Sequence, residues 1–156
     1  MQNGVTTVRF DQTNHVGVSD GDIYFFTLSS AVDDIKTVLS NVRTCYPDRP
    51  IALIGASLSG RTAIRTLVEC AIEVESLILL LPVVDVEKTV IAAAKADVFA
   101  LYEQGHTLEY LVSENVVHRN FIEDVCENEF RGITGTSKEL NSFVARVTTI
   151  GASKDD

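Results

Sequence analysis

Ser57 stands between Gly55 and Ser59-Gly60, directly after the apolar run Ile51-Ala52-Leu53-Ile54 and directly before a helical pattern. A strand that ends in a tight turn at a helix N-terminus presents whatever residue occupies its tip. The first N–H groups of the helix point at the same spot and suit a developing negative charge. The spacing Gly55-x-Ser57-x-Ser59-Gly60 is close to the nucleophile-elbow pattern G-x-S-x-G, in which a serine attacks a carbonyl carbon. Small residues on both sides of the serine let strand and helix approach closely. Ser59 in the place of the second glycine is compatible with this but departs from the commonest pattern.

Two other readings compete for the same stretch. Gly55-x4-Gly60-Arg61-Thr62 has the spacing of a phosphate-binding P-loop, and the strand ending at Asp85 could supply a metal-binding acid. Against it, Arg61 occupies the lysine position, and a planar guanidinium does not replace that point charge. The plainer alternative is a strand–helix junction in which Gly, Ala and Ser only permit close packing.

The elements that must position Ser57 follow from length and pattern. The 156 residues are about one domain long, and 46% are hydrophobic, enough for a core. No apolar run approaches the roughly 20 residues of a membrane span, and the N-terminus lacks the pattern of a secretory signal. A net charge of −9 argues against nucleic acid or an anionic membrane as the main partner. Cys45, Cys70 and Cys126 form no metal or disulfide framework, so reduced thiols in a cytoplasmic protein are expected. No metal or cofactor motif stands out.

Taken in order, residues 4–10 read as a β-branched, buried first strand, followed by a Gly-rich loop, Asp11-x3-His15-x-Gly17-x-Ser19-x-Gly21. His15 is a candidate site residue there, with a structural hydrogen-bonding role as the plainer reading. Leu28, Ala31, Val32, Ile35, Val38, Leu39 and Val42 mark a helix, with Ser29 or Ser30 as its cap and Asp33 and Asp34 in its first turn. Residues 51–56 are the second strand. Ala63 to Ile72 carry the next helical stripe, with Arg61, Arg65 and Glu69 on its solvated face. Residues 76–84 are a third strand, apolar enough for burial on both faces. Short helices are expected at 86–96 and 117–130, one helical turn at 137–142 and a strand at 143–150. The β-α-β-α-β order predicts an α/β, doubly wound, mainly parallel sheet. An insertion of about residues 86–142 would lie over the strand C-termini as a cap, with His106 and His118 inside it, read as surface or packing residues.

Residues 8–21 (V-R-F-D-Q-T-N-H-V-G-V-S-D-G), 51–63 (I-A-L-I-G-A-S-L-S-G-R-T-A) and 148–156 (T-I-G-A-S-K-D-D after Thr148) together resemble the bacterial luminescence acyl-transferase family. These myristoyl-acyl-carrier-protein thioesterases belong to the α/β-hydrolase superfamily. The A-S-L-S core and the H-V-G-x-S-x-G loop carry the likeness, which favours the elbow over the P-loop. The resemblance implies a partial α/β-hydrolase domain over 1–156, with Ser57 as acyl-accepting nucleophile and the N–H of Leu58 as an oxyanion donor. It implies Asp155 as the triad acid, with Asp156 the second choice. The family's chain order places the histidine beyond Asp156 and an oxyanion strand before Met1, so the chain looks like a central piece, incomplete at both ends.

The implied reaction is hydrolysis or transfer of a fatty acyl group through an acyl-serine. The donor would be a thioester of acyl-carrier protein or coenzyme A, and fatty-acid reductase components are further partners. Apolar residues of 83–110 would line the acyl tail. Without the base histidine, turnover by these residues alone is expected to be severely reduced. A general carboxylesterase or lipase-like hydrolase and a non-catalytic α/β module are the alternatives.

Overall fold

The computed structural model describes residues 4–106, 109–112, 115–143 and 145–151. Three parallel strands form the sheet: β1 (Ala52–Ala56), β2 (Ser76–Leu80) and β5 (Arg146–Ile150), in the order β1-β2-β5. Their register is unstaggered, so Ala56, Leu80 and Ile150 end side by side. Parallel neighbours need long crossovers. Helix α2 (Leu58–Glu69) makes the first. The second runs through α3 (Val86–Ala94), α4 (Val98–Glu103), the antiparallel hairpin β3 (Glu109–Val112) and β4 (Asn115–His118), α5 (Arg119–Glu127) and α6 (Ile133–Leu140).

One sheet face meets the helices. Leu77 and Leu79 of β2 are buried against Ile35 and Leu39 of α1 (Leu28–Cys45) and against Ala63, Ile64 and Leu67 of α2. The opposite face is open among the described residues: Ile54 is 59% exposed, and Ile78 and Leu80 are only half-buried. The two-sided burial predicted for β2 is therefore one-sided here, because no described element covers the second face. A second core joins the insertion to α1, with Val86, Val90, Phe99, Phe121, Ile122 and Val125 packed on Leu28, Ala31 and Val32.

Several boundaries depart from the sequence reading. Helix α1 is capped by Thr27, not Ser29 or Ser30. Its hydroxyl accepts from Ser30 N at 3.0 Å, and the Ser30 hydroxyl returns the contact in a capping box. Asp33 and Asp34 consequently fall in the second turn, and the first turn is capped from outside. The Asp124 carboxylate of α5 accepts from Leu28 N at 2.8 Å and from Ser29 N at 3.1 Å.

Residues 4–10 form no strand and are exposed throughout, Val5 to 70%. A β-branched run becomes a buried strand only where a sheet edge accepts it, and these residues are not a strand of either described sheet. The helix expected at 117–130 begins only at Arg119, the single turn at 137–142 is the longer helix α6, and the last strand starts at Arg146.

Candidate active site

Ser57 carries φ 51 and ψ −125, a conformation rarely held by a non-glycine residue. The turn is sharp because β1 ends at Ala56 and α2 begins at Leu58. Two glycines make it possible. A Cβ on Gly55 would stand 2.8 Å from the Ser59 carbonyl oxygen, and one on Gly60 would stand 2.8 Å from Pro82 Cβ. The second close approach is thus made by Gly60, which explains why serine is tolerated at position 59. The Ser57 peptide is held on both sides: its N–H donates to Leu80 O at 2.9 Å, and its carbonyl accepts from Gly60 N at 3.0 Å and Val83 N at 2.9 Å.

Although Ser57 occupies the N-cap position of α2, its side chain makes no capping hydrogen bond. A serine at this place ordinarily turns its oxygen back onto the helix amides. Here Ser57 and Leu58 instead border a cavity of about 470 Å³. The Leu58 N–H belongs to the first helical turn, where amides have no intrahelical acceptor. Ile23, Phe26, Leu28, Val83, Val90 and Phe121 give the cavity an apolar wall. The volume is in the range of sites that enclose a small organic ligand.

His15 lines this cavity too, its ring edge-on to Phe26 at 4.5 Å between centroids. Its loop is held by its own polar residues. The Asp11 carboxylate accepts from Val18 N at 3.1 Å, the Ser19 hydroxyl donates to Asp11 O at 2.6 Å, and the Asn14 side-chain oxygen accepts from Asp22 N at 3.2 Å. The glycines of the H-V-G-x-S-x-G pattern, Gly17 and Gly21, both sit at positive φ. The loop motif and the elbow, 42 positions apart from His15 to Ser57, therefore meet at one cavity.

His118 corrects the sequence reading. It borders the cavity at the start of α5, with its ring 4.1 Å from that of Tyr24. No local pattern marks it, since the insertion's folding onto the 23–26 segment decides where it points. His106 is exposed and does not reach the cavity.

Arg61 is also corrected. It is not on a solvated face but fully buried, forked onto Glu139 of α6 with Nη2 at 3.1 Å from Oε1, and stacked 5.0 Å from the Phe130 ring centre. A guanidinium committed in this way is not free to take a phosphate, which removes the basis of the P-loop reading. Asp155 and Asp156 lie outside the described residues. Among the described residues no cluster of three or more His, Cys, Asp or Glu side chains could hold a metal ion, and no helix is long and apolar enough to cross a membrane.

The fold and site define an α/β protein that delivers a strained serine from a parallel strand to a helix N-terminus beside an apolar cavity. The acyl transferase family profile matches residues 1–156, and the chain belongs to that family, the bacterial luminescence acyl transferases that its motifs resemble. It is 31% identical over 140 residues to an acyl transferase of Photobacterium leiognathi, covering 88% of this chain and 43% of the relative. To the acyl transferase of Photobacterium phosphoreum it is 29% identical over 151 residues, covering 93% and 48%. To that of Shewanella hanedai it is 25% identical over 156 residues, covering 99% and 49%. The chain spans about half the length of the curated relatives it matches.

Proposed function

We propose that this chain carries the nucleophile of an acyl transferase that works through an acyl-serine at Ser57. The observation that carries the reading is the Ser57 turn: a left-handed serine, unused as a helix cap, faces an apolar cavity. Ser57 Oγ attacks the carbonyl carbon of a fatty acyl thioester carried by acyl-carrier protein or coenzyme A. The tetrahedral oxyanion rests on the Leu58 N–H, the C–S bond breaks, and the thiol leaves with a proton. Water or another acceptor then takes the acyl group, which makes the protein a thioesterase or a transferase according to that acceptor. A histidine base and the Asp155 carboxylate complete the proposed triad, the acid orienting the imidazole and stabilising its cation.

On this reading residues 1–156 are part of an α/β-hydrolase domain with a cap-like insertion at about 86–142. The insertion's Val90 and Phe121 support it, because they line the same cavity as the elbow residues Ser57 and Leu58. His15 belongs to the site as a wall residue beside the reacting centre.

The test is covalent capture. The protein, taken at the length of its relatives so that the triad histidine is present, is incubated with a fluorophosphonate and, separately, with tetradecanoyl-coenzyme A, then analysed by intact mass and peptide mapping. Adducts on Ser57, absent from Ser57→Ala, are expected. A chain that stays unmodified by both reagents overturns the acyl-serine reading.

A further inference from the structure

Leu81 is a second non-glycine residue with left-handed backbone at the same sheet edge, at φ 47. Its side chain gives no reason for this: Leu81 is 60% exposed and does not border the cavity. It also precedes Pro82, and the residue before a proline is already restricted by clash with the ring. A bulky residue at positive φ is an outlier that persists only where its surroundings over-determine it.

The hydrogen bonds around Leu81 show what the conformation achieves. Leu80 O accepts from Ser57 N at 2.9 Å, Leu81 N donates to Ile150 O at 2.8 Å, and Val83 N donates to Ser57 O at 2.9 Å. Three consecutive strand ends are thereby joined through one turn. Pro82 fills the space over Gly60, where a Cβ would meet it at 2.8 Å.

We propose that the Leu80–Val83 turn is a brace for the nucleophile and that Leu81 is its positioning residue. Reversing the chain at Leu81 lets the turn grip the Ser57 peptide at both its N–H and its carbonyl. An extended Leu81 would carry Leu80 O or Val83 N away from Ser57. With one grip released, the strained φ of Ser57 could relax, and its side chain would be re-aimed relative to the cavity it borders. The catalytic consequence rests on the acyl-serine reading; the brace itself rests on the hydrogen bonds.

Two substitutions in the full chain test this. Glycine adopts a left-handed backbone freely, whereas β-branched valine resists it more than leucine does. Leu81→Gly should melt above the parent and keep its rate of fluorophosphonate labelling. Leu81→Val should label more slowly by roughly tenfold or more, a displaced reacting atom being costly. Its affinity for cis-parinaric acid should be unchanged, while the Ser57 and Val83 amides exchange with deuterium faster than in the parent. A residue that only stabilised the fold would lower the fatty-acid affinity along with the labelling rate, and that result would overturn the proposal. Parent-like labelling and amide protection in Leu81→Val would overturn it as well. If the parent itself does not label, amide exchange alone decides: unchanged protection at Ser57 and Val83 refutes the brace.

Discussion

Glu139 of α6 holds the buried guanidinium of Arg61 with both carboxylate oxygens, and Arg61 stands one helical turn beyond Ser57. The same carboxylate reaches Arg65 at 2.7 Å, and Arg65 has a second acid in Glu69 at 3.6 Å, so Glu139 is shared by two cations on the helix that starts at the candidate nucleophile but is the acid partner of Arg61. The arrangement is asymmetric. Glu139→Gln strands the wholly buried Arg61 without a counter-charge, whereas Arg61→Met leaves Glu139 its pair with Arg65. Breaking a buried pair so that one charge is uncompensated costs about 3–5 kcal/mol. Urea unfolding should place Glu139→Gln in that range and Arg61→Met clearly below it; equal losses would mean that burial of Arg61 is not what makes Glu139 important.

The conformation of Ser57 makes its own prediction about stability. A non-glycine residue held in such a region costs on the order of 1–3 kcal/mol, which glycine avoids. Ser57→Gly should therefore raise the melting temperature while abolishing acyl capture. Ser57→Ala, which keeps the strain, should abolish capture at an unchanged melting temperature. A fall in stability for the glycine variant would show that the turn is relaxed in solution.

Gly60→Ala tests the close approach of helix and turn. Its new methyl would sit 2.8 Å from Pro82 Cβ and 3.2 Å from Pro82 Cα. Overpacking of this kind costs about 1–3 kcal/mol. Calorimetry should find a lowered melting temperature, and labelling of Ser57 should slow because the helix start is pushed from the strand end. Ser59→Gly, by contrast, should leave both unchanged.

Asp124 gives a fourth case. Its carboxylate accepts from two N–H groups at the start of α1 and from the Asn128 side chain at 3.0 Å. Asp124→Ala leaves those donors in a largely buried place, at a cost of about 1–2 kcal/mol by analogy with a lost cap. Amide exchange should rise first at Leu28 and Ser29; uniform loss of protection across the chain would contradict a local cap.

Cys126 supplies the pH dependence. Burial pushes its thiol above the ordinary value of 9.0, and the nearby Arg131 only partly offsets this. A folded-state value above the unfolded one means that the protonated thiol's contribution to stability is fully present below about 9 and is lost as pH rises through the elevated value. Cys126→Ala should flatten that alkaline decline. At pH 8, iodoacetamide should modify the exposed Cys45 well before Cys126, as mass mapping will read. Equal rates would show that Cys126 is open to solvent.

The strand–turn–helix around Ser57 was legible because its causes are local. An apolar run, glycines at 55 and 60 and a helical stripe from Ala63 act within a few residues of one another. The buried face of α1 was legible for the same reason, since helical periodicity decides which side chains share a stripe, whereas on α2 Arg61 is buried and Val68 is exposed against the expected pattern. Residues 4–10 misled because strand propensity describes fitness for a sheet edge, not the presence of one. The helix expected from 117 starts two residues later, at Arg119, because β4 runs directly into α5.

By itself the chain's order of residues determined that position 57 would be a serine at a strand–helix junction, and which helical stripes would be apolar. Only tertiary structure decided that Arg61 is buried, that Asp124 caps α1 and that His118 joins His15 at the cavity of Ser57. The reason is distance along the chain: Arg61 finds its carboxylate 78 residues away and Leu28 finds its cap 96 residues away. A charge or a free amide carries no mark of the partner that will satisfy it, so its burial is settled when the elements pack.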